Sequence, residues 1–272
     1  MCDQHDHDDK AIDRRCLLGA SVAAGATAAA TGLAATSAQA AEGPYDDPAE
    51  PALPDGGMTL NRERAALVIS DPQVDFLSPD GVTWGVVGES VQQHGTVENI
   101  ERLLQAAKAA EMTVAVSPHY YYPTDHGWKF SGPLEKLMHK IGMFDRKGPL
   151  TTEGFENSGA DFMPQYKSYI HDGKTIIASP HKVYGPENND LVLQLRKNQV
   201  DQIVLCGMSA NLCVEAHMRE LLEQGFEVAV VRDATAAAKL PEGDGYLAAL
   251  INFRYMANAL WSTDEAVKYI SA

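Results

Sequence analysis

Five short apolar runs that do not alternate with polar residues constrain this fold more than any other feature. They are Arg64 to Ser70 (RAALVIS), Met112 to Ser117 (MTVAVS), Lys174 to Ser179 (KTIIAS), Gln202 to Met208 (QIVLCGM) and Glu227 to Arg232 (EVAVVR). A strand with one wet face alternates; a strand covered on both faces reads as a continuous apolar run. The first three runs stop at Asp71-Pro72, Pro118 and Pro180, where proline ends the ladder. Helical periods fall around and between the runs. Val97, Ile100, Leu103, Leu104 and Ala107 share a face in Val97 to Ala110, and Val214, Met218, Leu221 and Leu222 share one in Asn211 to Gln224, stopped by Gly225. Asp190 to Lys197 and Gly245 to Ala259 also read as helices, and Leu260 to Thr263 as a last short strand. The pattern predicts an α/β domain: a doubly wound, mostly parallel sheet with helices on both faces. Trp128 to Gly173 breaks the rhythm, and an insertion of that length is expected as a lid or a subunit contact.

The ends of the chain carry other information. Arg14-Arg15-Cys16-Leu17-Leu18 opens an uncharged stretch rich in Ala, Gly, Ser and Thr that closes on Ala38-Gln39-Ala40. This has the layout of a twin-arginine export signal over residues 1–40, and implies a folded protein sent to the periplasm or outside the cell. Too few Leu, Ile, Val or Phe are present for a membrane anchor. Residues 41–62 hold Pro44, Pro48, Pro51 and Pro54 and read as an extended tether, leaving 63–272 as the domain. Lys and Arg total 22 against 37 Asp and Glu, a formal charge of −15. The leader carries five acids and three bases, so its removal leaves the chain acidic. Such a surface repels phosphate backbones and anionic lipid, which speaks against nucleic acid and membrane as partners of the mature form. Once the leader goes, only Cys206 and Cys213 remain, too few for a disulfide framework.

In doubly wound sheets, ligands bind beyond the carboxyl ends of the strands where strand order reverses. In a 3-2-1-4-5 order the first and fourth strands are neighbours there. Asp71 follows the first strand, Lys182 the third, and Ser209 to Cys213 the fourth. The topology therefore brings a carboxylate, a cation and a thiol together. A thiol in the first turn of a helix is favoured as thiolate, and open N–H groups there suit a developing oxyanion. The spacing alone leaves two readings of Cys213, nucleophile or small buried core residue. His181 and His217 supply a competing His-based dyad. Cys206, inside an apolar run, reads as core.

These residues resemble the isochorismatase-like cysteine hydrolases, a family that includes nicotinamidases and N-carbamoylsarcosine amidases. The resemblance rests on Ala66 to Phe76 with its D-x-Q-x-D-F pattern (Asp71, Gln73, Asp75, Phe76), on His181-Lys182-Val183-Tyr184, on Gly207 to Val214 and on Val230 to Ala234. It implies a triad of Asp71 as general base, Lys182 as orienting charge and Cys213 as nucleophile. It also implies a cis peptide near Met208-Ser209, with the N–H groups of Ser209 and Cys213 as oxyanion hole. The implied reaction is attack on an amide or ureido carbonyl of a small-molecule substrate, cleavage of a C–N bond and hydrolysis of a thioester; a homo-oligomer is implied as well. Ether hydrolysis of the isochorismatase type, which needs no thiol, and a non-catalytic binding homologue are the alternatives.

Nicotinamidases of this family hold a metal through a carboxylate and histidines after the second strand. Here the carboxylate position, two before His119, is Ser117. The expectation is no metal and no cofactor, with His119, Asp125 and His126 as the residues that would have to supply a site. Phe76, Trp84, His119, Tyr120 and Trp128 are expected to line a substrate cleft, since aromatic side chains at the rim suit a planar substrate.

Overall fold

In a computed structural model of the chain, residues 43–54 and 56–272 are described; the export signal expected over residues 1–40 lies outside them. Strand β1 (Ala65–Ser70) is followed by α1 (Val74–Leu77), α2 (Trp84–His94), α3 (Thr96–Ala109) and β2 (Thr113–Ser117). Next come α4 (Pro133–Ile141), α5 (Lys167–Ile170), β3 (Ile176–Ile177), α6 (Leu191–Lys197) and β4 (Gln202–Met208). The chain ends with α7 (Glu215–Glu223), β5 (Glu227–Ala236), a hairpin of β6 (Lys239–Leu240) and β7 (Gly243–Asp244), α8 (Gly245–Met256), β8 (Ala259–Trp261) and α9 (Thr263–Ser271). The main sheet has the order β3-β2-β1-β4-β5-β8, parallel throughout. The doubly wound α/β fold expected from the sequence is the one observed.

The lack of alternation in the strands has a direct cause. Ala65, Leu67 and Ile69 enter one core with α2, α3 and α9; Ala66 and Val68 enter the other with α6, α7 and α8. Every side chain of β1 is buried, and its one polar residue, Ser70, stands at the carboxyl end with its hydroxyl donating to the Met208 carbonyl (2.9 Å). Register places Ser70 beside Ser117 on one side and Gly207 on the other, so the carboxyl ends of β1, β2 and β4 lie level. That is where β1 feeds helices on one face and β4 helices on the other, the switch point of the sheet.

Gly207 is fixed by this alignment. Its φ is +114°, and a Cβ there would lie 2.0 Å from the Ser70 carbonyl oxygen. Gly207→Ala is expected to cost more than about 3 kcal/mol, from the disfavoured φ and the backbone overlap together. A fall in the urea midpoint checks it.

Two segments outside the regular alternation are bonded to the domain. In the segment expected as an extended tether, the Tyr45 hydroxyl donates to Asp244 (2.6 Å), Asp47 pairs with Arg232 and with Arg254 (3.0 Å), and Gln202 donates to the Thr59 carbonyl (2.9 Å). The insertion 128–173 is stitched down as well. The Phe144 N–H donates to Asp75 (2.7 Å), and Tyr121 exchanges backbone bonds with Phe144 and Arg146 (3.0 and 2.8 Å). It forms one wall of the cleft described below. No helix among the described residues is long and apolar enough to cross a membrane.

Candidate active site

The D-x-Q-x-D-F segment works as a unit. Asp71 leaves β1 with φ +47°, a left-handed conformation that Asp tolerates better than most residues; its N–H donates to the Ser117 carbonyl (3.1 Å). Two residues on, the Gln73 amide clamps the loop after β2. It accepts from the His119 N–H (2.8 Å) and donates to the carbonyls of His119 (2.9 Å) and Ala160 (2.8 Å). Asp75 anchors the insertion through the Phe144 N–H and is so enclosed that burial raises its carboxyl above the usual range. Phe76 packs edge-on against Phe144 and lines the cleft.

Asp71, His119, His181 and Cys213 meet at the floor of that cleft, all buried, with one ligand-type atom from each lying within 4.8 Å of the others. Asp71 Oδ1 accepts from His181 Nε2 at 2.7 Å, so that nitrogen carries the ring hydrogen. Lys182, expected as the orienting cation, is elsewhere. Its ammonium donates to Asp125 (2.6 Å) and to the Tyr120 carbonyl (2.8 Å), and sits 3.7 Å above the Tyr122 ring. His119 and His181 are partners in a parallel bridge, and the chain bends at Lys182, just after it. With His181 turned to Asp71, Lys182 faces away.

Cys213 lies in a π-helical turn, Ala210–Val214, that precedes α7. The Met208–Ser209 peptide is cis, as the resemblance implied. The helix start was expected to favour a thiolate, but burial, then the Asp71 negative charge, push the thiol well above its ordinary value. The N–H groups of Ser209 and Cys213 face the sulfur and pull the other way, more weakly. The resting group is therefore a thiol. Alkylation of Cys213 in chelator-treated protein is expected to accelerate only above the usual cysteine range of about pH 8.5. Asp71→Asn, by deleting the nearby charge, moves that midpoint down; peptide mass after labelling across pH checks both.

His217 is the neutral neighbour. Its Nδ1 donates to the Cys213 carbonyl (2.7 Å), which makes Nε2 the acceptor of the Ser117 hydroxyl (2.8 Å), itself bonded by Asn189 (3.1 Å). Burial lowers its pKa to about 3. It braces the turn that carries Cys213, and Ser117 is thereby used in structure. Cys206 is buried in the core, as expected.

Above this floor opens a cleft of about 590 Å³ with Cys213 and Ser209 at its base. One wall is Leu134, Leu137, Met138 and Ile141 of α4; the other includes Val86, Val87 and Leu212. Among the described residues, Glu242 and Asp244 of the hairpin are the charged side chains that line it, and no Lys or Arg does. Of the five aromatic or imidazole side chains expected at the substrate, Phe76 lines the cleft and His119 lies on its polar floor. Trp84, Tyr120 and Trp128 do not line it. The Trp84 ring covers Gly88 on its own helix, Tyr120 packs under Arg146, and Trp128 packs on Tyr121 and His139. Sequence reasoning did not assign α4 to the cleft, although 134, 137, 138 and 141 carry the i, i+3, i+4, i+7 spacing of an apolar helix face. His119, Asp125 and His126 do not assemble: Asp125 holds Lys182, and His126 pairs with Asp145 (2.8 Å).

Comparison with known proteins bears on the fold and the family. A segment of 49 residues is 49% identical to the isochorismatase family protein YecD of Escherichia coli O157:H7, covering 18% of this chain and 26% of that one. The chain thus spans about a quarter of that relative's length. The ureidoacrylate amidohydrolase RutB of Variovorax paradoxus is 24% identical over 195 residues, 68% of this chain and 73% of its own. Among solved structures, a cysteine hydrolase from Pseudomonas syringae pv. phaseolicola superposes with a TM-score of 0.65 at 23% identity, covering 80% of this chain and 98% of the other. The isochorismatase domain profile matches residues 65–265, and by that match the chain is a member of the isochorismatase family of hydrolases.

Proposed function

We propose that this chain is a cysteine hydrolase that cleaves the C–N bond of a neutral, largely apolar amide or ureido compound. The observation that carries the reading is a buried thiol, Cys213, facing the Asp71 carboxylate at the base of an apolar cleft. Asp71 takes the thiol proton as sulfur attacks the carbonyl carbon. The oxyanion is received by the N–H groups of Ser209 and Cys213, which already face the sulfur. The protonated Asp71 then gives its proton to the departing nitrogen, leaving a thioester. Water, deprotonated by the same carboxylate, hydrolyses the thioester and restores the thiol. His181, hydrogen-bonded to Asp71 Oδ1, holds the base in line, the role that the resemblance gave to Lys182.

The lining supports the substrate class. A substrate carboxylate in this cleft would meet Glu242 and Asp244 and no cation, and a buried unpaired charge is costly. An amidohydrolase relative named for ureidoacrylate supports the reaction type, while the lining argues against an anionic substrate here. The test is a panel of neutral aliphatic and aryl amides and ureas beside carboxylate-bearing ones, read by ammonia or amine release. The reading expects turnover of neutral members and at least about tenfold lower kcat/KM for anionic isosteres. Preference for the anionic members would overturn the substrate class, and no turnover of any amide or urea would overturn the reaction. Export of the folded chain through a twin-arginine signal, and homo-oligomer formation, belong to the same proposal.

A further inference from the structure

The floor of the cleft holds more unmet polar atoms than a hydrolytic triad requires. Asp71 Oδ2, both ring nitrogens of His119 and Nδ1 of His181 are buried without a hydrogen-bond partner. His119 and Asp71 are fully buried, and the Cys213 thiol lies among them. Buried polar groups are nearly always satisfied, and each one left open costs about 1–3 kcal/mol. An ion bound here would take one carboxylate oxygen, one nitrogen of each imidazole and the sulfur, and so meet three of these four open atoms at once.

We propose that Asp71, His119, His181 and Cys213 form a binding site for a divalent transition metal, Zn²⁺ above all, whose occupancy silences the thiol. The donor set is one sulfur, two imidazoles and one carboxylate, which suits zinc and disfavours magnesium or calcium. Thiolate and carboxylate together cancel the 2+ charge, so the occupied site is neutral in a dry core. Ligand atoms in a tetrahedral zinc site lie about 3.5 Å apart. The present spread of up to 4.8 Å closes with side-chain shifts of about an ångström. The shell around the ligands is built: Gln73 grips the His119 backbone on both sides, and His217 holds the Cys213 carbonyl.

The set differs from the one that the resemblance to nicotinamidases implies. There a carboxylate two residues before His119 takes part, but here that residue is Ser117, already used by His217 and Asn189. What creates the new site is the imidazole of His181 beside Asp71. A lysine ammonium has three donors and no lone pair for a metal; a histidine has one. On binding, the metal takes the thiolate and the thiol proton passes to solvent, with no change of oxidation state. The second half of the inference, loss of activity, rests on the thiol-hydrolase reading; the first half does not.

The experiment uses the full chain, stripped with chelator, loaded with ZnSO₄ or CoCl₂, desalted and assayed for metal per chain. Wild type is compared with His119→Ala and with Cys213→Ser, because the leader has its own His and Cys residues and contributes equally to all three. The expected result is one equivalent fewer in each variant, a thiolate-to-cobalt charge-transfer band in wild type that Cys213→Ser lacks, and zinc protection of Cys213 from iodoacetamide. Equal metal content in wild type and both variants, with each variant folded by circular dichroism, would overturn the inference. Metal binding without amide turnover would leave this site standing and remove the proposed function; turnover unaffected by zinc, with no equivalent lost, would do the reverse.

Discussion

Cys213→Ala is expected to lower kcat toward a neutral amide at least about a thousand-fold, with the fold intact. The size of the effect follows from the absence of a substitute. Cys206, the other cysteine of the described domain, is sealed in the core on β4, and the Ser209 hydroxyl is engaged with Asn211 and the Ala236 carbonyl (3.3 and 3.2 Å). Losing one sulfur atom from a side chain beside the open cleft costs no more than about 1 kcal/mol of stability, so activity and melting separate cleanly. The variant also discriminates between reaction types. Vinyl-ether hydrolysis of the isochorismatase kind needs no thiol, and an enzyme of that kind would keep its rate in Cys213→Ala.

The second large effect sets two adjacent residues against each other. His181→Gln is expected to reduce kcat about a hundred-fold or more, since the base loses the donor that fixes Oδ1. Its pH profile should change shape as well, because Asp71 is left beside a group that cannot carry an imidazole's proton. Lys182→Met is expected to stay within about tenfold of wild-type kcat/KM. Its cost falls on stability, about 1–3 kcal/mol, as Asp125 keeps only the Tyr122 N–H (2.8 Å). Steady-state kinetics and urea melts of the two variants measure both. A reversed pattern, with Lys182 essential and His181 dispensable, would show that the loop after β3 turns over in the working enzyme.

The contrast between these two residues shows how far the sequence can be read. The sheet was legible because burial on both faces leaves a pattern that little else produces: RAALVIS and QIVLCGM fill both cores at once. Asp71 and Cys213 were legible because strand ends at a switch point converge whatever the side chains do. His181 was not. The chain bends at Lys182, just after the His119–His181 bridge, and that bridge is a pairing between segments 62 residues apart. Helix α2 was missed for a local reason. Gly85, Gly88 and three valines depress helix propensity in Trp84–His94, and what rescues it is tertiary: Val87 and Val91 are buried in the core with side chains of α3. Strand β3 was read too long. Only Ile176–Ile177 pair with β2, at an edge where one side of the ladder has no partner. The thiol was misjudged because the helix start was weighed without the burial, and burial is the larger effect.

The most direct test of the central claim is to look for the covalent intermediate. Chelator-treated protein is mixed with a slow neutral amide or aryl ester, quenched in acid within the first turnover and digested for peptide mass. The account predicts one acyl group per chain, carried on the Cys213 peptide, released by hydroxylamine and absent from Asp71→Asn, in which the thiol has no base. Turnover with no acyl adduct on Cys213 at any quench time, or an adduct carried by another residue, would contradict it.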